Sequence, residues 1–244
     1  MKLKAAHKKL LLGNKLLDLL PLDKNTLKIV GKPVAIIFDW DNTLIDSWPT
    51  ILDALNTTFR AFKMTTWTMD EAKVRVAKSM RNSFPLLFGD EWQEAGEIFY
   101  KRYAAIHLRK LHPLPGAENL LRILTKKNIY LSVVSNKNGD YLRNEANQLG
   151  WEQYFSTLIG AMDAERDKPD PKPVDMALKS SSINKGPNVW FVGDSSIDLE
   201  CAYNAGLTGI LIRNKPPSLK EFKEHPPAQH FHDCDELCKF VINL

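Results

Sequence analysis

Val34-Ala35-Ile36-Ile37-Phe38-Asp39-Trp40-Asp41-Asn42-Thr43-Leu44-Ile45-Asp46-Ser47 is the stretch on which the fold turns. Its first five residues form a short apolar run, mostly branched, that begins after Gly31-Lys32-Pro33 and stops abruptly at Asp39. This is the pattern of a buried strand. Asp39 and Asp41 stand two apart, so while the chain stays extended their side chains fall on one side of the strand end. Two carboxylates held together repel unless a cation or a shared proton compensates, which points to metal binding or acid/base work. The spacing by itself leaves open a pair of solvated turn aspartates.

The same pattern recurs downstream. Tyr130-Leu131-Ser132-Val133-Val134 ends in Ser135-Asn136, and Val189-Trp190-Phe191-Val192 ends in Gly193-Asp194. Residues 157–159, 209–212 and, more weakly, 228–231 are further strand candidates, and helix-patterned stretches over 120–128, 140–149 and 174–180 lie between them. This alternation predicts an α/β fold: a Rossmann-like parallel sheet with helices on both faces, whose ligands sit beyond the carboxyl ends of the strands. Residues 47–114 interrupt it with helical patterns over 51–62, 69–80 and 91–111 and no convincing strand. They are read as an inserted α-helical cap that returns through His112-Pro113-Leu114-Pro115-Gly116, a hinge-like composition. The expected organisation is a helical N-terminal extension over 1–30, a core from 31–46 and 115–244, and the cap over 47–114.

At 244 residues, 44% hydrophobic and 25% charged, the chain can bury a sizeable core. A net charge of +4 suits anionic small molecules and falls short of a nucleic-acid surface. The three cysteines, Cys201, Cys234 and Cys238, do not make a secreted disulfide framework, so a reducing compartment, the cytoplasm, is expected. The leucine-rich start is broken by Lys2, Lys4, Lys8, Lys9, Lys15 and Asp18, which argues against a spanning helix or a signal peptide.

The string Asp39-Trp40-Asp41-Asn42-Thr43, followed by Leu44-Ile45-Asp46-Ser47, resembles the first motif of the haloacid dehalogenase superfamily in its phosphatase branch. Ser135-Asn136-Lys137 is similar to the second motif, Lys168-Pro169-Asp170-Pro171 to the third, and Gly193-Asp194-Ser195-Ser196-Ile197-Asp198 to the fourth. Any one of these is a common cap, turn or surface lysine; all four in order are specific.

The resemblance implies Asp39 as the nucleophile and Asp41 as the general acid and base. It implies Mg²⁺ held by Asp39 and Asp194 and by the backbone carbonyl of Asp41, with Asp198 binding a metal water or orienting Lys168. Lys168 supplies a second positive charge, and Ser135 and Asn136 hold phosphoryl oxygens. Asn42 and Thr43 are expected at the substrate as part of the first motif, and Arg81 as an anion contact from the cap.

Asn42 stands where the family most often has glycine, and asparagine also tolerates left-handed backbone angles. Asp41 disfavours dehalogenation, because a departing halide needs no proton. A sugar-phosphate mutase or a silent phospho-ligand-binding relative are the alternatives. The helical cap, "LPGAENLL" and "VVSNK" look most like the phosphoglycolate phosphatase group. That implies a small phosphorylated metabolite as substrate (phosphoglycolate-like or a sugar phosphate), no nucleic-acid or membrane partner, and a monomer or homodimer. His230, His232, Cys234 and Cys238 have a zinc-like spacing but fall where the family has its last strand and helix, and are read as structural.

Overall fold

The computed structural model describes residues 30–76, 78–218 and 220–244. The helix expected over 1–30 lies, except for Val30, outside the described residues.

Strand β1 (Ala35–Phe38) lies at the middle of a six-stranded sheet with β2 (Tyr130–Asn138), β3 (Thr157–Ala161), β4 (Val189–Gly193), β5 (Thr208–Ile212) and β6 (Gln229–Phe231), in the order β3-β2-β1-β4-β5-β6. Every pairing is parallel. Alternation along β1 explains why both faces must be covered. Ile36 and Phe38 join one core with Leu131, Val133, Trp190 and Val192. Against that face pack α5 (Ala117–Lys126), α6 (Gly139–Gln148) and α9 (Cys234–Ile242), through Leu120, Leu121, Leu142 and Leu237. Ala35 and Ile37 face the opposite way, onto α7 (Lys172–Leu178) and α8 (Ser196–Asn204), through Val174, Ala177, Cys201 and Ala202. The α/β class and the doubly covered parallel sheet are therefore as the sequence predicts.

Between β1 and β2 the chain makes α1 (Trp48–Ala61), α2 (Met69–Arg75), α3 (Met80–Phe88), a 3₁₀ turn (Gly89–Glu91) and α4 (Trp92–Ile106). These helices close over a core of their own built on Leu55, Phe59, Phe84 and Phe88. The two connections to the sheet run side by side: Asp46 N–H donates to His112 O at 2.9 Å, and Leu114 N–H to Leu44 O at 2.8 Å.

The single helix expected over 69–80 is two helices. Thr68 and Glu71 close a capping box at the start of α2, but Val76 turns extended, and α3 starts afresh after the buried Ser79. No helix among the described residues is long and apolar enough to cross a membrane. Cys234 and Cys238 are buried in the core, and His230 Nε2 meets Arg213 O at 2.8 Å.

Candidate active site

In a sheet of this order the direction of winding reverses between β1 and β4, and the crevice outside their carboxyl ends is the ligand position. Asp39 leaves β1 there, its N–H tied to Val192 O at 2.8 Å, and is buried. Asn42 makes the following turn at φ 61°, the left-handed conformation for which asparagine is suited, and its Oδ1 accepts from Ser47 N–H at 3.3 Å.

β4 delivers Gly193 and Asp194. A Cβ on Gly193 would lie 2.3 Å from Asp198 Cγ, so only glycine lets the first turn of α8 pack against the strand end. Asp198, fully buried, closes a capping box: its Oδ2 accepts from Ser195 N–H at 3.0 Å and from Ser195 Oγ at 2.6 Å. Its Oδ1 accepts from Lys168 Nζ at 2.7 Å, and Lys168 also donates to Asp39 Oδ1 at 2.7 Å.

Carboxylate oxygens of Asp39, Asp194 and Asp198 lie within 4.8 Å of one another. Burial pushes the Asp39 carboxyl up to about 6 although Lys168 pulls it down, with Asp198 and Asp41 adding to the rise. Burial, then Asp198 and Asp39, push Asp194 well above the carboxylate range. Three crowded carboxylates beside a single lysine suit a hard divalent cation, whose oxygen-ligand preference they match. Burial alone would strip the proton from Lys168, but Asp198 and Asp39 hold it charged, above the ordinary lysine value.

β2 runs to Asn138, past its apolar run, so Ser135, Asn136 and Lys137 lie within the strand rather than beyond it. Ser135 and Asn136 line the cavity in front of Asp39, and Asn136 Nδ2 donates to Lys168 O at 3.2 Å, joining the second motif to the third.

Lys137, which the sequence reading leaves without a role, organises a second buried set of charges. Its Nζ lies 2.6 Å from Asp41 Oδ1 and 3.2 Å from Glu145 Oε2, and donates to the Tyr103 hydroxyl. Glu145 on α6 also accepts from Trp40 Nε1 at 2.8 Å, from the Tyr103 hydroxyl at 3.0 Å and from His107 Nδ1 at 2.9 Å. Burial works against charge on Lys137, but Asp41, Tyr103 and Glu145 raise it well above the lysine value. Burial would likewise raise Glu145, and Lys137, His107 and Trp40 together bring it below the usual glutamate value. Tyr103 belongs to α4 and His107 follows it, so this network ties the helical insertion to the sheet. Ser47 Oγ, where the chain leaves for the insertion, donates to Asp41.

Two expected residues lie elsewhere. Arg81 is not at the cavity: its Nε and Nη2 donate to Asp167 Oδ2 and Oδ1 at 2.6 Å each, so its charge is satisfied one residue before Lys168. Thr43 is 1% exposed, and among the described residues its Oγ1 has no hydrogen-bond partner.

The model of the haloacid dehalogenase-like hydrolases matches residues 36–212. A phosphoglycolate phosphatase from Psychrobacter arcticus is 23% identical over 219 residues, covering 85% of this chain and 95% of that one. One from Pseudomonas savastanoi pv. phaseolicola is 26% identical over 222 residues, covering 87% and 81%. The structure is similar to that of a haloacid dehalogenase-like family hydrolase from Streptococcus pneumoniae, with TM-score 0.74 and 20% identity over 88% of this chain and 99% of that one; this likeness concerns the fold.

Proposed function

The chain belongs to the haloacid dehalogenase-like hydrolases, and from that premise we propose that it is a Mg²⁺-dependent phosphatase acting on a small phosphorylated metabolite through an aspartyl-phosphate. One observation carries the reading: the buried Asp39 is paired with Lys168 at 2.7 Å while Asp41, two residues on, is paired with a different lysine, Lys137, at 2.6 Å. Two adjacent carboxylates in distinct surroundings suit two distinct roles.

Asp39 attacks phosphorus, and the bond from phosphorus to the alcohol oxygen breaks. The departing alkoxide takes a proton from Asp41, leaving Asp41 ionised. Water then attacks the aspartyl-phosphate, Asp41 takes its proton, and phosphate leaves with Asp39 restored. Lys168 stays charged beside Asp39 and offsets the repulsion between a carboxylate and a dianionic ester. Ser135 and Asn136, which line the same cavity, hold the nonbridging oxygens in line.

Asp39 and Asp194, with the backbone carbonyl of Asp41, are the residues that would hold Mg²⁺, and Asp198 would fix Lys168 behind them. Mg²⁺ there supplies positive charge to the phosphoryl group. The helical insertion acts as the cap over this site, core residues being 31–46 and 115–244, and a closed cap restricts the substrate to small esters. The relatives named above put phosphoglycolate first in any panel, with sugar phosphates beside it. Mutase chemistry would want a second anion site in the cap, and Arg81, the expected cation, is held by Asp167. The reading places the protein in the cytoplasm, as a monomer or homodimer, with no nucleic-acid or membrane partner.

The test is Mg²⁺-dependent phosphate release from 4-nitrophenyl phosphate. Asp39→Asn should abolish it, and Asp41→Asn should lose most turnover while still binding phosphate analogues. Equal turnover in Asp41→Asn would refute the acid/base assignment, and no turnover of any ester by the wild type would refute the phosphatase.

A further inference from the structure

The cavity in front of Asp39 has two unlike ends. The cavity encloses about 160 Å³; at its floor are Asp39, Asp41, Ser135, Asn136, Lys168 and Asp194, and most of the remaining wall comes from side chains of the insertion, with Asn138, Tyr141 and Ile197 added from the sheet side. Ile51, Leu55, Trp67, Met80, Phe84 and Phe99 make most of that wall. These are the side chains of the insertion's own apolar core, turned toward the site. The break between α2 and α3 serves the same wall, since Val76 and Met80, on either side of it, both line the cavity.

A carboxylate or a second phosphate on the substrate would need a cation in that upper half. Arg81 is engaged by Asp167 outside the cavity, and Lys137 by Asp41 and Glu145 at its floor. The remaining cations of the lining, Arg75 and Lys78, are both exposed to solvent, and Arg75 lies over the Trp67 ring at 4.9 Å and 3.7 Å from Glu71. A sugar would need several hydroxyl partners, and the wall is mostly aliphatic and aromatic carbon; of its hydroxyls, those of Ser83, Tyr103 and Tyr141 are already bound, to Ser79 O, to Lys137 and Glu145, and to Tyr100 O. A cavity of about 150 Å³ holds one benzene ring; because the 160 Å³ here also includes the charged floor that takes the phosphate, the alcohol is limited to one ring or a short branched chain at most.

We infer that the substrate is a phosphate monoester of a small hydrophobic alcohol, alkyl or arylalkyl, whose carbon chain fills the space between α1, α3 and α4. The inference rests on the phosphatase reading and narrows it. The phosphate sits at the charged floor and the alcohol carbons displace water from the wall.

The experiment is a ladder of alkyl phosphates from ethyl to butyl, with benzyl phosphate, phosphoglycolate and glycerol phosphate, assayed as kcat/KM with Mg²⁺. All leave as alkoxides, so the series reports chiefly the pocket. The expected gain is about fourfold for each added methylene that is buried, and benzyl phosphate should exceed glycerol phosphate at least tenfold. Leu87→Gln places an amide in the wall and should cut the slope to under twofold per methylene, with circular dichroism checking that the variant folds.

Binding of inert benzylphosphonate and phosphonoacetate, followed by fluorescence of Trp48 and Trp67 in the cavity lining, decides the question even if no ester turns over. Tighter benzylphosphonate in that case supports a ligand of the inferred chemistry that is bound without being hydrolysed, while the phosphatase reading falls. A flat ladder, a slope unchanged in Leu87→Gln, or phosphonoacetate binding as tightly as benzylphosphonate would overturn the inference and leave the phosphatase standing.

Discussion

Lys137→Met should be the most informative single substitution for the link between folding and chemistry. The lysine side chain is 4% exposed and that of Glu145 is 2% exposed, so methionine can fill the stem's volume but leaves two carboxylates without their shared cation. Removing one member of a buried ion pair costs about 3–5 kcal/mol. The lower end applies here, because Glu145 keeps the Trp40, Tyr103 and His107 hydrogen bonds and Asp41 keeps Ser47. About 3 kcal/mol corresponds to a fall in Tm of roughly 6–12 °C for a chain of this size.

Adding Glu145→Gln removes the stranded charge, so the double variant should recover about 1–2 kcal/mol relative to the sum of the single changes. Thermal unfolding of the four proteins of the cycle measures both quantities. A Lys137→Met protein melting within 2 °C of wild type, or strictly additive changes, would show that the network does not hold the insertion to the sheet. Turnover adds a second reading: Asp41 loses the partner that positions it, so kcat should fall further than KM changes.

Lys168→Met should lower kcat/KM on the order of 10²–10³-fold, since it removes a preorganised charge at the reacting centre; a loss under tenfold would contradict its placement. Gly193→Ala forces Asp198 away from the strand end and should cost about 1–3 kcal/mol, together with a weaker Mg²⁺-dependent rise in Tm. Arg81→Ala leaves Asp167 buried with the Met162 N–H and should cost about 1–3 kcal/mol in urea unfolding, with Arg81→Lys recovering little because the contact is a two-pronged fork. A side-chain hydrogen bond from Arg102, against burial and with help from Lys110, lowers Asp53 to about 2. A depressed folded pKa stabilises above the unfolded value of about 3.9 and is lost as pH falls toward 2, so Asp53→Asn should flatten the stability profile between about pH 4 and pH 2.

The strands were readable because each is an apolar run closed by polar residues that the site uses, such as Val189–Val192 before Gly193 and Asp194. The helix break at Val76–Ser79 was not, because no glycine or proline marks it; the stop is imposed by the cavity wall, which takes Val76 and Met80. Ser135, Lys168 and Asp194 were legible through their order along the chain. Lys137 carried a signal that could have been followed: period two from Ser135 puts it on the same strand side. Trp40 and Glu145 carried none, being 105 positions apart with only the fold to bring them together.

The two lysines divide the acidic groups of the site into sets that make different demands. Lys168 is shared by Asp39 and Asp198, with Asp194 alongside, so with all three carboxyls ionised this set would hold two more negative charges than positive, the deficit that one divalent cation cancels. Lys137 is shared by Asp41 and Glu145, with neutral donors from Trp40 and Tyr103 filling the remaining sites on Glu145. That set needs no metal to persist, and its second partner, Tyr103, arrives on α4 of the insertion. The surroundings of Asp41 therefore reach the insertion through Lys137 and Tyr103, whereas Asp39 is held by Val192 O and Lys168, neither of them part of the insertion. On the proposed reading, moving the insertion away would leave Asp39 in place and loosen Asp41, which would limit proton transfer to the closed arrangement.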